Sequence, residues 1–400
     1  MNHSLLEQFK TEIFVEANRI LDWWRSHAID EAEGGFYGEI KQDNTILKEA
    51  DKGGILNARI LWTFSAAYRK LKNEKDKEIA DRAYQYIRDC FYDHEQGGTY
   101  WLLYSDGSVK NDRKQIYSIA FTIYGLSEYF KISKDIHALY LAIDLFNTIE
   151  NRSKDRLRGG YFEAYSKDWI LLDDLRLSEK DRNDPKTMNT HLHIIEAYAN
   201  LYTVWKNQML RDTIIQLLEL FDENSIDNKT SHLSLFFNSA WEKTSGIISY
   251  GHDIEASWLL QECAAVLADD ISSTYWRNKA IRIADAAKQG IQPDGSFIHE
   301  YNPDQQHSHD YREWWVSAEG LAGYINAYTI TQNEEYLRLA LQLWSFIKQH
   351  LIDTNHGEWY WGVHTDYTKM DKYKMGFWKC PYHNVRACLQ VLDKLEGLII

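Results

Sequence analysis

Proline is scarce, at 4 in 400 residues, which argues against a disordered or low-complexity chain. Cysteine is equally scarce: Cys90, Cys263, Cys380 and Cys388 form no C-x-x-C pair, so a zinc ribbon or a thiol redox motif has no support. They read as reduced, mostly buried thiols. No stretch reaches the roughly 18 to 20 consecutive apolar residues that a membrane-spanning helix needs. The opening segment MNHSLLEQFKTEIFVEANRI carries charges throughout and shows no basic region followed by an apolar one, so secretion is not expected and a cytoplasmic location is. Positive charge is in deficit, 45 Lys and Arg against 59 Asp and Glu. The resulting net charge of −14 disfavours partners with phosphate backbones or anionic lipid surfaces. Serine-elbow, phosphate-loop and H-E-x-x-H motifs are also missing.

Aromatic residues are abundant, with 15 Trp, 26 Tyr and 15 Phe, and sugar-stacking surfaces are one use for such a surplus. A second feature is a recurring glycine-aromatic segment. It appears at Gly34-Gly35-Phe36-Tyr37, Gly97-Gly98-Thr99-Tyr100, Gly159-Gly160-Tyr161-Phe162, Asp294-Gly295-Ser296-Phe297 and His356-Gly357-Glu358-Trp359. Gly35 to Gly98 is 63 residues, while Gly98 to Gly160 and Gly295 to Gly357 are each 62. So regular a period indicates repeats. The interval from Gly160 to Gly295 is about two periods, which predicts a degenerate copy near Gly246-Ile247-Ile248 after an insertion around 223–245, and six units in all.

Helical periodicity gives each unit two helices, over 4–27 and 52–72, 76–92 and 114–131, 134–151 and 187–206, 209–222 and 250–269, 272–289 and 312–331, and 333–350 and 379–396. First helices such as EIADRAYQYIRDCFYD have one apolar stripe and suit an outer ring. Second helices such as GGILNARILWTFSAAY and WWVSAEGLAGYINAYT are apolar or small nearly all round and suit an inner ring. Twelve alternating helices make an all-α (α/α)6 barrel, one domain over 1–400, whose long loops surround a pocket at the inner helices' N-terminal ends.

Polar residues recur at those ends, where a purely structural barrel has little use for them. In chain order they are Arg59, Tyr117, Asn189 with His193, His252 with Glu255, Trp315 with Glu319, and His383. His252 and Glu255, at i and i+3, share a helical face, as do Asn189 and His193 at i and i+4. His191 is turned away and reads as structural, and His299, His307, His309, His356 and His364 fall in rim loops, where solvated roles are the default. Several chemistries fit the cluster. Three histidines could bind a metal, the lesser reading. Glu255 with Glu319, or with an Asp of 171–184, could serve glycoside hydrolysis if the carboxylates stand about 5 to 9.5 Å apart. Histidines with an arginine suit proton transfer beside a carbonyl better. Of the tryptophans Trp314, Trp315, Trp359, Trp361 and Trp378, Trp315 and Trp378 sit beside the proposed catalytic positions and are the expected sugar platforms.

The segments GGFYGEI, KGGILNARILWTFSAAYR, MNTHLHIIEAY, SYGHDIEASWLL and GFWKCPYHNVRACL resemble the N-acylglucosamine 2-epimerase family, and within it the cellobiose 2-epimerases, over essentially the whole chain. The resemblance implies an (α/α)6 barrel that inverts C2 of the reducing-end glucose of β-1,4-linked disaccharides, without metal or organic cofactor. It puts the enediolate-stabilising arginine at Arg59 and the acid/base histidines at His252 and His383. His193, Asn189, Tyr117 and Glu255 become further site residues, and Trp315 and Trp378 the stacking tryptophans; Glu319, on the inner face, joins the substrate-binding set. The chemistry agrees: once the ring opens, the aldehyde acidifies C2–H, imidazole has a suitable pKa for the base, and an always-charged guanidinium suits the enediolate. His252 assisted by Glu255 is expected to open the ring, and His383 to abstract the proton from the gluco form. Mannose isomerisation or mannose 2-epimerisation is the competing activity, and a sugar- or partner-binding barrel without turnover the competing class. The expected assembly is a monomer or weak homodimer with a disaccharide substrate.

Overall fold

The computed structural model describes residues 3–179, 181–309 and 311–399. Its helices are α1 (His3–His27), α2 (Gly54–Leu71), α3 (Glu74–Tyr86), α4 (Ile116–Ser133), α5 (Ile136–Arg152), α6 (Met188–Val204), α7 (Gln208–Leu220), α8 (Tyr250–Ala265), α9 (Asp270–Ala287), α10 (Trp314–Thr331), α11 (Glu334–Phe346) and α12 (Tyr382–Ile399). The even-numbered helices contact one another in sequence order, and α12 returns to α2, closing an inner ring. Each odd-numbered helix packs against the inner helix before it, α3 on α2 through α11 on α10, and α1 packs on α12. The fold is an (α/α)6 barrel. Among the described residues no helix is long and apolar enough to cross a membrane.

The division into rings follows from residue character. Every residue of α2 from Gly54 to Ala67 is buried, as is every residue of α4 from Ile116 to Tyr129, because each inner helix is covered by two inner neighbours and an outer one. Outer helix α3 buries a stripe that includes Ile79, Ala80, Ala83 and Tyr84 and leaves its charges outside except Asp76, which is buried and paired with Arg25. Three of the five turns from an inner helix to the next outer one are two residues long, because each of the three pairs a left-handed residue with a capping side chain. Lys72, Lys134 and Gln332 adopt φ near +60°, and Asn73, Asp135 and Asn333 then accept from the first-turn N–H groups of α3, α5 and α11. The helices fall where the periodicity puts them. The main difference is at the outer helices' C-terminal ends, where a π turn follows α3, α7 and α11 at Ile87–Phe91, Phe221–Ser225 and Ile347–Leu351.

The glycine-aromatic segments are tight loops that follow the outer helices. Gly34 and Gly35 sit at φ +79° and +62°, and a Cβ on Gly35 would stand 2.7 Å from the ring of Tyr86, so only glycine fits there. A buried ion pair fastens each of four such loops to the segment that precedes an inner helix: Lys52 to Asp30, Lys114 to Asp93, Lys186 to Asp155 and Lys374 to Asp353. Short antiparallel pairs link each unit to the next. Lys52–Gly53 pairs with Leu102–Leu103, Lys114–Gln115 with Ala164–Tyr165, Lys186–Thr187 with Phe236–Phe237, Ile248–Ser249 with residues 300–301, and Arg312–Glu313 with Gly362–Val363. An Ile40–Met375 bridge joins the last unit to the first.

One expectation about the repeats needs correcting. The fourth copy is Ser231-His232-Leu233, whose Leu233 bridges Ile226 as Tyr161 bridges Lys154, and not Gly246-Ile247-Ile248. Ser231 takes the glycine's left-handed conformation, at φ +63°, and His232 with Asp253 replaces the Lys–Asp pair, at 2.7 Å. The extra length lies in the third unit's loop, between Tyr161 and Thr187, and not in 223–245. Lost glycines hid the copy from a pattern search. The cysteines are free, three of them buried and Cys90 half-buried, as expected.

Candidate active site

The inner helices begin at one end of the barrel, and their first turns bring the candidate residues together. Arg59, on α2, is buried, donates from Nη2 to the Tyr117 hydroxyl at 2.9 Å, and lies over Phe121 and Tyr382 at 4.1 and 4.9 Å. Its Nε has no partner. Burial pulls its pKa downward, but Tyr117, Cys380, Tyr382 and Glu255 more than offset this, so it stays charged. Tyr117 is pushed up to about 12 by burial and is a neutral phenol that accepts from Arg59.

Three histidines face this arginine's neighbourhood. His193 stands edge-on to Tyr117, with ring centroids 5.1 Å apart, and its Nδ1 is 2.9 Å from Glu196 Oε2. His383 Nδ1 is 2.7 Å from Glu319 Oε1, and His252 Nδ1 is 2.8 Å from the Ser249 hydroxyl. The Trp315 ring lies within 5.0 Å of His252 and 5.8 Å of His383, centroid to centroid. Burial holds both imidazoles well below the ordinary value; the other histidines add to this for His252, and Arg59 and Arg386 for His383. Both are therefore neutral at pH 7. With Nδ1 engaged in each, Nε2 is the nitrogen left for chemistry.

Beneath them lies a layer the sequence reading missed. Arg386, fully buried on α12, donates from Nη2 to Glu255 and to Glu319, both at 2.7 Å, and from Nη1 to Glu196. Tyr382 donates to Glu196 at 2.8 Å. Although burial opposes it, Arg386, His193 and Tyr382 draw Glu196 down to about 2. Burial raises Glu319, with Arg386 opposing. Arg386 is three residues after His383 and Glu196 three after His193, so the same i, i+3 rule that paired His252 with Glu255 could have found both.

Two expectations change here. His252 and Glu255 do not pair: Ser249, the N-cap of α8, takes His252 Nδ1, while Glu255 turns to Arg386 and stands 4.0 Å from His383 Nδ1. Glu319 is fully buried, with Oε1 receiving His383 and Arg386 and Oε2 receiving Trp258 Nε1 at 3.1 Å, so its oxygens are taken up by protein donors. The same geometry bears on the alternatives. Ligand atoms of Glu255, Glu319 and His383 lie within 4.8 Å of one another, but the Arg386 guanidinium already supplies positive charge to both carboxylates. That distance is also below the glycosidase range, and both carboxylates are fully buried.

The remaining candidates are closer to the mouth. Asn189 Oδ1 is buried without a partner and is free to accept from a hydroxyl. Trp378 is half-buried, 6.4 Å from Tyr117 and 6.2 Å from Trp101 by ring centroids. His191 is structural: Nε2 accepts from Tyr161 N at 2.9 Å and Nδ1 meets Thr187 O at 2.6 Å. His299, read as a rim residue, is 6.3 Å from His252 and 5.0 Å from Trp315 by centroids.

A closed helical ring with this floor of imidazoles, carboxylates and guanidinium groups defines a barrel enzyme of the carbohydrate epimerase and isomerase class. The chain belongs to the N-acylglucosamine 2-epimerase (GlcNAc 2-epimerase) family, whose model matches residues 35–387. It is 47% identical over 395 residues to the cellobiose 2-epimerase of Bacteroides fragilis, covering 98% of this chain and 100% of that one. The structure of the cellobiose 2-epimerase from Bacillus thermoamylovorans B4167 matches with a TM-score of 0.93 at 37% identity, over 97% of this chain and 99% of that chain. The D-mannose isomerase of Marinomonas mediterranea is more distant, 24% identical over 97% of this chain and 98% of its own length.

Proposed function

We propose that the protein is a cellobiose 2-epimerase, which reversibly converts cellobiose to 4-O-β-glucosylmannose and accepts lactose in the same way. The observation that carries this reading is the pair of neutral imidazoles, half-buried His252 and buried His383, each with Nε2 unengaged, on either side of the Trp315 ring, with the charged Arg59 acting on His383. Identity to cellobiose 2-epimerases across the full chain supports the disaccharide as substrate.

In this reading the reducing glucose stacks on Trp315 and Trp378, with Tyr117, Asn189 and His193 holding its hydroxyls. His252 moves the proton between O1 and O5 as the ring opens; its Ser249 partner can donate or accept, so either tautomer is available. His383, its Nδ1–H directed at Glu319, takes the C2 proton on Nε2 as the aldehyde becomes an enediolate beside Arg59. His252, after taking a proton from solvent water, returns it to the opposite face of C2, and His383 releases the abstracted proton to solvent, so the manno product carries a solvent proton and both imidazoles end neutral. Glu255 and Glu319 hold His383 and Arg386 and do not touch sugar. No step calls on a metal or organic cofactor. A cytoplasmic location, a single domain over the whole chain and a monomeric or weakly dimeric state belong to the same proposal, the last tested by light scattering after gel filtration.

The deciding experiment is NMR of the purified protein with cellobiose in D2O, with free mannose in a parallel sample and chelator in both. Glucosylmannose with deuterium at C2 is the expected result. Fructose from mannose beside inert cellobiose would replace the proposal with mannose isomerisation, and no reaction of either sugar would leave a binding role.

A further inference from the structure

His299 precedes the rim strand 300–302, yet it engages the start of α8 in two ways. Its carbonyl accepts from Tyr250 N at 3.0 Å, and its ring lies 6.3 Å from that of His252 and edge-on to Trp315 at 5.0 Å. Nδ1 is 2.7 Å from Glu313 Oε2, on the segment leading into α10, and Nε2 is 3.4 Å from Glu300 Oε1. Glu300 also meets His309 on the paired strand at 3.4 Å, and Glu313 accepts from Trp361 Nε1 at 2.9 Å. Two carboxylates at ion-pair distance favour the imidazolium form of this ring. Although burial opposes it, Glu313 and Glu300 raise its pKa. His252 is faced by His299, His193, His383, Ser249 and Trp315, none of which is a carboxylate.

We propose that His299 is a positioning residue for His252: its ring places a cation beside the His252 imidazole and braces Trp315, and its carbonyl fixes the first turn of α8. The cation keeps His252 neutral, and so able to accept a proton, at pH values where an unassisted histidine would be charged. This rests on the epimerase reading for its catalytic meaning, but the ionisation itself is measurable without turnover.

Removing a unit charge 6.3 Å away changes the pKa of His252 by roughly half a pH unit if the pair is screened as in water. At an effective dielectric constant near 20 the change is about two. Glu313 and Glu300, left behind in His299→Gln, push in the same direction. NMR titration of histidine-labelled protein, with His252 assigned through His252→Asn, should show the His252 pKa rising by at least half a unit in His299→Gln. The acid limb of kcat/KM for cellobiose should rise with it. If His299→Gln fails to fold, His299→Asn, which also keeps the carbonyl, is read in its place. A His252 titration unmoved in the folded variant overturns the proposal, as does a fall in kcat with no displacement of the acid limb. A displaced titration in a protein inert toward cellobiose would retain the electrostatic coupling and remove the epimerase reading alone.

Discussion

Glu319→Gln separates what the sequence expected of this residue from what the structure gives it. A residue that binds sugar would, when replaced, raise KM. Glu319 instead has three donors converging on two oxygens: His383 Nδ1 at 2.7 Å, Arg386 Nη2 at 2.7 Å and Trp258 Nε1 at 3.1 Å. A glutamine offers one acceptor oxygen. If that oxygen faces His383 and Arg386, the new NH2 abuts the Trp258 N–H and a buried donor loses its partner, at a stability cost of about 1–3 kcal/mol. His383 then keeps its tautomer but loses a charge-assisted bond that strengthens as the ring takes the C2 proton, about 1.5–3 kcal/mol, or roughly 10- to 150-fold in kcat. If the amide is reversed, Nδ1 becomes an acceptor, Nε2 carries the proton, and the base is lost altogether; a wrong tautomer in the serine-protease triad costs about 10⁴-fold. Steady-state kinetics on cellobiose with product resolved by chromatography, alongside urea denaturation, tests both parts. The expected outcome is a kcat at least 10-fold lower with KM within a few-fold of the parent. A raised KM at unchanged kcat would refute the argument and return Glu319 to the substrate-binding set.

Arg59→Lys keeps the charge but loses the fork that reaches Tyr117 and the plane that lies over Phe121 and Tyr382, so kcat should fall by roughly 10²–10³ by analogy with an oxyanion donor, with KM little changed; parental kcat would remove Arg59 from the reaction. Lys114→Met strands Asp93 in a fully buried pair, and equilibrium denaturation should show a loss of about 3–5 kcal/mol without an effect on the KM of the enzyme that remains folded. His191 carries a pH prediction. Burial lowers its pKa from 6.5 to about 4, so between those values the unfolded chain binds the extra proton. The stability is complete above pH 6.5 and is lost as pH falls toward 4, by about 3 kcal/mol. His191→Gln should flatten that part of the stability–pH curve, and a curve of unchanged slope would count against the assignment.

The barrel was legible because its signals are redundant. Six amphipathic helices, six apolar ones and a period near 62 residues each point to the same ring, so losing one marker, as at Ser231, misplaces a repeat without changing the fold. The site was legible at the first turns of the inner helices because a polar residue there stands out against an apolar background. Its floor was only partly so. Glu255 and Glu319 stood out, but Arg386 and Glu196 did not, and which carboxylate serves which imidazole depends on packing between α6, α8, α10 and α12. Sequence spacing sees only one helix at a time. It therefore paired His252 with Glu255, its neighbour along α8, although the competing partner Ser249 was equally near in sequence and better placed in space.

That misassignment has a chemical consequence, because the two histidines now differ in kind. His383 faces a carboxylate bonded to Arg386, so its Nδ1 is a donor in the resting state and its Nε2 a dedicated acceptor. His252 faces a hydroxyl, which can reverse its hydrogen bond, so the ring can take up or give back a proton on Nε2 without leaving an unpaired partner. A reversible epimerase needs both abilities on opposite faces of C2, and ring opening and closure place a further demand on a group of the second kind. The proposed division of roles therefore rests more on the asymmetry between Glu319 and Ser249 than on the histidines themselves. Exchanging only the weaker partner, Ser249→Ala, should slow ring opening and with it C2–H exchange of both sugars, and should slow proton transfer on the manno side further, so that deuterium incorporation falls more from the manno sugar than from cellobiose. Equal loss in both directions of proton exchange, measured by deuterium incorporation from each sugar at early times, would show the two histidines to be interchangeable and the asymmetry to have no mechanistic weight.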